Sequence, residues 1–392
     1  MRNRIYLDHA ATTAVSAEVR EAMAPFLAES YGNPSAVYAT GREARRAVDQ
    51  ARRKAAEALG AAPREIYFTS GGSESDNWAV LGTALAGRER GRHLITSAIE
   101  HHAVLRPCQY LEKLGYEVTY LPVDARGRID PGDLEAAIRP DTVLISLMTA
   151  NNEIGTLQPV EAFGRIARAH GIPFHTDAVQ AMGAVPIDVE AWGADLLSLS
   201  AHKFHGPKGV GLLYIRQGTR VDPLIHGGAQ ERGLRAGTEN TAGIAGMGRA
   251  MEIAAANIPA RTARIRALRD RLRAALPEAI PDIRENGDPD HALPGHASFS
   301  FPGVDGEALL LRMDLAGIAV SGGSACTSGS PEPSHVLEAI GLTEAENRSS
   351  IRITVGEENT AEEIDETART LTEIVRDLRG TEMFIDSPRT SV

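Results

Sequence analysis

Cysteine is scarce in this chain, which has two, Cys108 and Cys326, among 392 residues. Two cysteines cannot form a disulfide framework for a chain of this length, so we expect a reducing, cytoplasmic setting. The sequence also lacks an apolar run of about 18 residues, the length needed to span a membrane. Its N-terminus has no apolar stretch typical of a signal peptide. We therefore expect no membrane partner.

Positive charge is in deficit. Lys and Arg total 41 against 52 Asp and Glu, which gives a formal net charge of -11. Proteins that bind nucleic acid directly usually carry a basic face, so we expect no direct nucleic-acid partner. The 43% hydrophobic and 24% charged residues are ordinary for a globular chain with a large core, and the length predicts two or three domains.

Short apolar runs alternate with helical patterns through the first half of the chain. Seven of these runs predict buried strands, at 65–70, 93–98, 118–123, 142–148, 172–177, 195–200 and 210–215. The alternation predicts an α/β fold with a mainly parallel seven-stranded sheet and helices on both faces. Such sheets bind their ligands beyond the carboxyl ends of the strands, so the residues there are the first candidates for function.

The second half has a different pattern. A helical region at about 242–276, broken near Pro259, precedes predicted strands at 296–301, 318–321 and 350–355. Helices are predicted at 306–316, 334–340 and 361–379. We interpret the chain as a large ligand-binding domain (15–255), a smaller α+β domain (1–14 with 256–380) and a C-terminal tail (381–392).

Lys203 follows the predicted strand at 195–200, and Asp177 ends the strand at 172–177. A strand-end lysine between Ser200, His202 and a glycine-rich stretch can join an aldehyde cofactor while its neighbours hold a phosphate. An ordinary surface lysine is the alternative. Asp177 either caps the next helix or holds the pyridine nitrogen of pyridoxal phosphate (PLP) protonated. Together the two residues favour PLP.

A glycine-rich turn, TSGGSESDN (69–77), joins a predicted strand to a helix. Exposed backbone N–H groups at a helix start attract anions, so Gly72 and Ser73 are candidates for holding the phosphate. A plain capping turn is the alternative. The turn lacks the glycine and lysine spacing of a P-loop, which disfavours a nucleoside triphosphate.

Taken together, the motifs resemble those of NifS/IscS-type cysteine desulfurases, which are fold-type I PLP enzymes of the class V aminotransferase group. The matching stretches are YLDHAATT (6–13), GNPS (32–35), TSGGSESDN (69–77), EH (100–101), NNEIG (151–155), HTDAVQ (175–180), SAHKFHGPKG (200–209), RAGTEN (235–240), SGGSACTSGSPEPSHVL (321–337) and SIR (350–352). They occur in family order from about residue 4 to 379. No single motif is unique to the family, but the joint pattern is specific.

The resemblance implies roles for residues around the cofactor ring. Lys203 is similar to the Schiff-base lysine, and Asp177 to the partner of the pyridinium nitrogen. Gln180 resembles the hydrogen-bond partner of the cofactor hydroxyl. His101 resembles the imidazole that stacks on the ring and moves protons, whereas its neighbour His102 is interpreted as a turn residue.

The resemblance also implies a phosphate site and a substrate site. The phosphate cradle corresponds to Gly72, Ser73, Ser200 and His202. Thr238 resembles a threonine that reaches the phosphate of the opposite subunit, which implies a homodimer. Asn152 and Arg352 resemble the pair that holds the substrate carboxylate, a task that suits a bidentate guanidinium. Asn152 is also implied to contact the cofactor.

Cys326 lies in a stretch rich in Gly, Ser and Pro, whereas Cys108 lies on a predicted helix beside leucines. Cys326 is therefore predicted to be an exposed nucleophile, and Cys108 a buried small hydrophobic residue. The resemblance implies that L-cysteine becomes L-alanine while sulfur passes to Cys326. From there it would pass to an acceptor or scaffold protein, in iron–sulfur cluster assembly or thiolation, without a metal cofactor.

Other functions share most of these residues. The alternatives are a selenocysteine or cysteine-sulfinate lyase, a plain class V aminotransferase, and a non-catalytic partner protein with this fold. Three residues depart from the family pattern: His9, Tyr38 and Ala229. None of the three removes a catalytic group, but they leave the pathway and the sulfur acceptor open.

Overall fold

The structure is a computed structural model, and it describes residues 4–322 and 333–385. Cys326 therefore lies outside the described residues. Thirteen strands are found within these two ranges: β1 Ile5–Tyr6, β2 Ile66–Thr69, β3 His93–Ser97, β4 Glu117–Leu121, β5 Thr142–Ser146, β6 Phe174–Asp177, β7 Leu196–Ser200, β8 Gly211–Ile215, β9 Arg284–Glu285, β10 His296–Ser300, β11 Ile318–Ala319, β12 Ser321–Gly322 and β13 Ser350–Thr354.

The same ranges contain fourteen α-helices, which surround the strands. They are α1 Ala17–Met23, α2 Pro25–Ala28, α3 Ala39–Leu59, α4 Gly72–Asn77, α5 Thr83–Ala86, α6 His102–Lys113, α7 Pro131–Ala137, α8 Val160–Ala169, α9 Thr241–Ala255, α10 Ile258–Ala279, α11 Gly306–Leu315, α12 His335–Ala339, α13 Glu344–Arg348 and α14 Ala361–Ile385. None of the described helices is both long and apolar enough to cross a membrane.

The seven strands predicted for the first half form one sheet. Its order is β2-β8-β7-β6-β5-β3-β4. Strand β8 runs antiparallel to both of its neighbours, and the remaining pairs are parallel. The predicted α/β fold with a mainly parallel seven-stranded sheet is confirmed.

Both faces of this sheet are covered by helices. Leu94 of β3 packs with residues of α6, whereas the next residue, Ile95, packs with residues of α8. Successive side chains of a strand point to opposite faces, so α6 and α8 cover different sides. This double cover explains why the strands are almost continuously apolar.

A second apolar core forms around a four-stranded antiparallel sheet of order β12-β13-β10-β9. Leu7, which is fully buried, brings the start of the chain into this core. The short strand β1 pairs in parallel with β11, and an isolated bridge joins Asp8 to Thr354 of β13. The N-terminal segment, defined here as residues 8–13, therefore leaves this sheet and runs toward the larger one. The domain boundaries given above stay a prediction.

Two helix limits differ from the expected ones. Helix α14 continues to Ile385, beyond the predicted end at 379, so residues 381–385 of the expected tail are helical. A glycine such as Gly380 costs only about 1 kcal/mol inside a helix and does not have to end it. The break before α10 falls at Asn257, whose φ of 54° is left-handed. Pro259 lies in the first turn of α10, where its missing N–H costs nothing.

Candidate active site

Two neighbouring strands carry the central residues of the site to one edge of the sheet. Strand β6 ends at Asp177 and β7 ends at Ser200, and the two strands pair in parallel. A 3₁₀ turn then brings the chain to Lys203. Asp177 is only 7% exposed, and one of its carboxylate oxygens accepts a hydrogen bond from the Val179 N–H at 2.9 Å. Asp177 and Lys203 come to the same edge of the sheet because β6 and β7 pair in parallel.

The N-terminal segment covers Lys203. The Lys203 Nζ atom donates hydrogen bonds to the carbonyl oxygens of Ala10, at 2.6 Å, and Ala11, at 2.9 Å. The Gln180 amide also donates to the Ala10 carbonyl, at 3.0 Å. The Ala10 carbonyl thus brings Gln180 and Lys203 together. No role in the site was predicted for this segment from the sequence, although its YLDHAATT motif was the available signal.

The start of α4 lies against Ser200. A Cβ atom added to Gly72 would lie 2.9 Å from Val179 Cγ2 and 3.4 Å from Ser200 Cβ. From Gly72 the helical backbone runs through a π-helical turn to Ala86, so its first N–H groups lack partners within the helix. Small residues, a helix start and a serine hydroxyl together fit a phosphate group.

His202 and Thr238 are further candidates for this phosphate site. The Nδ1 atom of His202 lies 3.1 Å from the Thr12 hydroxyl, within hydrogen-bond distance. Thr238 is exposed in the single chain. Its stretch is tied to α4 by Arg235, whose Nε lies 2.8 Å from a carboxylate oxygen of Glu74. That position leaves Thr238 accessible to a second subunit.

His101 caps the N-terminus of α6. Its Nδ1 atom accepts a hydrogen bond from the Ala103 N–H at 3.1 Å, which places the ring proton of the neutral form on Nε2. Burial and then the positive charge of Lys203 lower the pKa of His101 to about 4. The imidazole is therefore neutral near pH 7.

The interpretation of His102 as a turn residue is wrong. His102 is the first residue of α6, because the side chain of the preceding His101 supplies the helix cap. Its ring centroid lies 4.8 Å from that of His335, and His335 Nε2 donates to the Glu100 carbonyl oxygen at 2.9 Å.

A layer of buried polar side chains lies next to Asp177. His175 lies on the same face of β6 as Asp177. It forms hydrogen bonds with the hydroxyls of Ser146, at 2.8 Å, and Ser198, at 2.9 Å. An oxygen of Asp76 lies 3.7 Å from His175 Nε2. This layer could not be predicted from the sequence, because His175, Ser146 and Ser198 lie in strands predicted only to be buried and Asp76 lies in α4.

Burial makes the charged forms in this layer unfavourable. It raises the pKa of Asp177 to about 6, raises the pKa of Asp76 well above its usual range, and lowers the pKa of His175 to about 3. A neutral His175 provides no counter-charge for Asp177. A protonated pyridine nitrogen would provide one, so the donor set fits the PLP ring.

Arg352 of β13 is a buried cation, 1% exposed. Its Nη2 atom lies 2.7 Å from Asp8 Oδ1, and its Nη1 atom donates to the Asn152 carbonyl oxygen at 2.9 Å. Its Nε atom is also buried, and no described residue accepts from it. An open N–H on a buried guanidinium fits a ligand carboxylate. Asn152 contacts Arg352 through its backbone carbonyl.

The family profile described as aminotransferase class V matches residues 5–367. This chain belongs to the class V aminotransferase family. The match includes the strand ends at Asp177 and Ser200, and Arg352. The family suggested by the sequence motifs is confirmed.

Relatives and solved structures agree with this family assignment. The chain is 53% identical over 379 residues to cysteine desulfurase IscS from Dictyoglomus turgidum, covering 97% of this chain and 96% of that protein. A solved NifS-like protein superposes with a TM-score of 0.90 at 41% identity, covering 95% of this chain and 100% of that one. Another structure, SspA in complex with cysteine, gives a TM-score of 0.81 at 42% identity, over 91% and 100% of the two chains.

Proposed function

We propose that this class V aminotransferase family member is a PLP-dependent cysteine desulfurase that converts L-cysteine to L-alanine and transfers the sulfur to Cys326. The observation that carries the proposal is the convergence of Lys203 and buried Asp177 at one edge of the sheet. Relatives named cysteine desulfurase, and a similar protein solved with cysteine, support the choice of reaction.

Seven side chains and one turn would hold the cofactor. Lys203 would bind its aldehyde carbon, Asp177 its ring nitrogen and Gln180 its ring hydroxyl. His101 would stack on the ring. The start of α4 at Gly72 and Ser73, with Ser200, His202 and the partner subunit's Thr238, would hold the phosphate. Bound PLP supplies a carbon that joins amines and a ring that accepts electrons from the substrate.

The protein groups supply proton transfer and electrostatics. The Lys203 amine, once released from the cofactor, takes up the Cα proton of the substrate and returns it to carbon. The carbonyls of Ala10 and Ala11 orient that amine. Asp177, held by the Val179 N–H, supplies a buried negative charge to the site. Neutral His101 can donate a proton from Nε2.

Arg352 and Asn152 would select the substrate. The Arg352 guanidinium is already held at both outer nitrogens, and its Nε remains for a substrate carboxylate. Because the guanidinium is buried, its charge is weakly screened and favours an anionic group strongly. This geometry favours free amino acids over amines.

Sulfur transfer would take place at Cys326. Its thiolate attacks the substrate sulfur, forming an S–S bond as the Cβ–S bond breaks, and the electron pair stays with the carbon, which is then protonated. The products are alanine and a persulfide on Cys326. A persulfide needs an acceptor, so we propose an acceptor or scaffold protein in iron–sulfur cluster assembly or thiolation, and a reducing cytoplasm that keeps the thiol available.

The test is to incubate the PLP-loaded protein with L-cysteine and a thiol reductant. Alanine and sulfide are quantified separately from pyruvate. A desulfurase produces alanine and sulfide in equal amounts, with no pyruvate. Pyruvate in place of alanine indicates a β-elimination enzyme and contradicts the proposal.

A further inference from the structure

The N-terminal segment brings a carboxylate to the buried arginine. Asp8 Oδ1 lies 2.7 Å from Arg352 Nη2. The other Asp8 oxygen accepts a hydrogen bond from the Ser321 hydroxyl at 2.7 Å. Asp8 and Arg352 are 344 residues apart in the sequence, so only the folded chain joins them.

Some of the N–H donors of Arg352 are held by the protein, and others are left for a ligand. A guanidinium has five N–H donors. Asp8 accepts from Nη2 and the Asn152 carbonyl from Nη1, which fixes the plane of the group from two sides. The Nε donor is buried and has no partner among the described residues, so it is left for a ligand. Because Nη2 has a second hydrogen, a carboxylate that binds Nε and Nη2 would use two more of the five donors while Asp8 keeps its contact.

Asp8 is itself held firmly. A backbone bridge connects it to Thr354, two residues beyond Arg352 on the same strand. The Tyr6 hydroxyl donates to the Asp8 carbonyl oxygen at 3.0 Å, and Ser321 holds the side chain. A carboxylate fixed at its backbone and both oxygens can determine the orientation of a flexible arginine side chain.

We propose that Asp8 is a positioning residue that holds the Arg352 guanidinium in the orientation that receives the substrate carboxylate. The inference rests on the proposed function, in which Arg352 binds that carboxylate. Asp8 acts through Arg352 alone. Its removal should therefore weaken ligands that carry a carboxylate and leave other amines unaffected.

The test uses full-length PLP-loaded protein and two amine probes. L-Alanine carries a carboxylate and ethylamine does not. The dissociation constant of each is measured from the change in cofactor absorbance for the parent, Asp8→Asn, Arg352→Ala and the double variant. Asp305→Asn is the matched control, because Asp305 only caps α11 and asparagine caps equally well.

We expect Asp8→Asn to weaken L-alanine about tenfold, the effect of losing one charge-assisted contact. Ethylamine should stay within about twofold of the parent. In the Arg352→Ala background, Asp8→Asn should have no further effect on L-alanine. Equal weakening of both probes, an additive effect in the double variant, or tighter L-alanine binding would each overturn the proposal.

A milder variant guards against misfolding of Asp8→Asn. Ser321→Ala removes the hydroxyl that holds the second Asp8 oxygen and should weaken L-alanine about threefold, again without affecting ethylamine. The Arg352→Ala single variant distinguishes failure of the substrate role of Arg352 from failure of the positioning role of Asp8. If it leaves L-alanine binding unchanged, the proposed substrate role of Arg352 fails. If it weakens L-alanine while Asp8→Asn does not, only the role of Asp8 fails.

Discussion

The Nζ atom of Lys203 lies 2.6 Å from the carbonyl oxygen of Ala10. The two residues come from opposite parts of the fold: Lys203 follows the large sheet, and Ala10 lies in the segment that leaves the small one. The same carbonyl accepts from Gln180. The reactive amine is therefore held where the two apolar cores of the protein face each other.

This position predicts where the cofactor becomes attached. Borohydride reduction of the PLP-loaded protein should label a single lysine, and peptide mapping should identify it as Lys203. Lys208, five residues further and exposed, is the internal control, because it is accessible to free PLP but is not among the residues assigned to the cofactor site. Lys203→Ala should lose the label. Label on Lys208 in the parent would contradict the assignment.

Asp177 should control the chemistry rather than the attachment of the cofactor. Asp177→Asn keeps the size of the side chain but removes the negative charge that favours a protonated ring nitrogen. We expect covalent labelling of Lys203 to persist while kcat falls about a hundredfold, the usual scale for losing one electrostatic partner. The measurement is alanine formation at saturating L-cysteine. A variant with nearly full kcat would show that another residue fills this role.

Sequence patterns were sufficient to predict which residues lie at the strand ends, but not which distant segments contact each other. Asp177 and Ser200 could be placed side by side because apolar runs predict parallel strands whose ends meet at one edge. The pairing of Asp8 with Arg352 could not be predicted, because it depends on how the N-terminal segment packs against β13. The His175 layer was missed for a related reason: periodicity predicts burial, but not which polar groups meet there.

Glu100 predicts a specific pH dependence of stability. It is fully buried, accepting from the Ser97 hydroxyl and the Met148 N–H, and burial raises the pKa of its carboxyl to about 8 from the usual 4.5. The folded state therefore holds this proton more tightly than the unfolded state. Stability should fall as the pH rises from 4.5 to 8, by at most about 1.4 kcal/mol per pH unit, and then level off.

The Glu100→Gln variant isolates this effect, because glutamine has the same shape and does not titrate. Urea unfolding midpoints measured from pH 5 to 9 should fall more steeply for the parent than for Glu100→Gln up to about pH 8. Glu117→Gln is the control, since Arg139 lowers the pKa of exposed Glu117, so its ionisation does not produce a loss of stability as the pH rises. Parallel curves for the parent and Glu100→Gln would show that Glu100 is already ionised.

The role that the family resemblance implies for Thr238, which is exposed in the single chain, predicts a dimer with shared sites. We expect the active protein to sediment at twice the 41.8 kDa mass of one chain. Lys203→Ala and Thr238→Ala chains, mixed after dissociation, should regain activity, because one of the two sites in a mixed dimer then has both residues intact. Each variant dissociated and reassociated alone is the control. An active species at the mass of one chain would rule out the shared site.

Cys108 provides the natural comparison for the sulfur-transfer prediction. It is fully buried on α6, and burial raises the pKa of its thiol to about 12. Almost none of it is thiolate near pH 7, so it cannot act as the nucleophile. Cys108→Ala should keep sulfur transfer and lose about 1 kcal/mol of stability at most from the altered core.

Cys326 should be required for sulfur transfer, and for that step alone. Cys326→Ser leaves Lys203, Asp177 and Arg352 in place, so binding of PLP and L-cysteine, followed by absorbance, should match the parent. Persulfide formation should vanish, because a serine hydroxyl has almost no anionic form near neutral pH to attack sulfur. Mass spectrometry after a short pulse of L-cysteine without reductant should show one added sulfur on the Cys326 peptide of the parent and of Cys108→Ala, and none in Cys326→Ser.

If Cys326→Ser still converts L-cysteine to alanine at the parent rate, sulfur leaves the substrate by another route and the desulfurase mechanism is wrong. If only selenocysteine turnover survives, Cys326 determines selectivity for sulfur, and the protein also acts as a selenocysteine lyase.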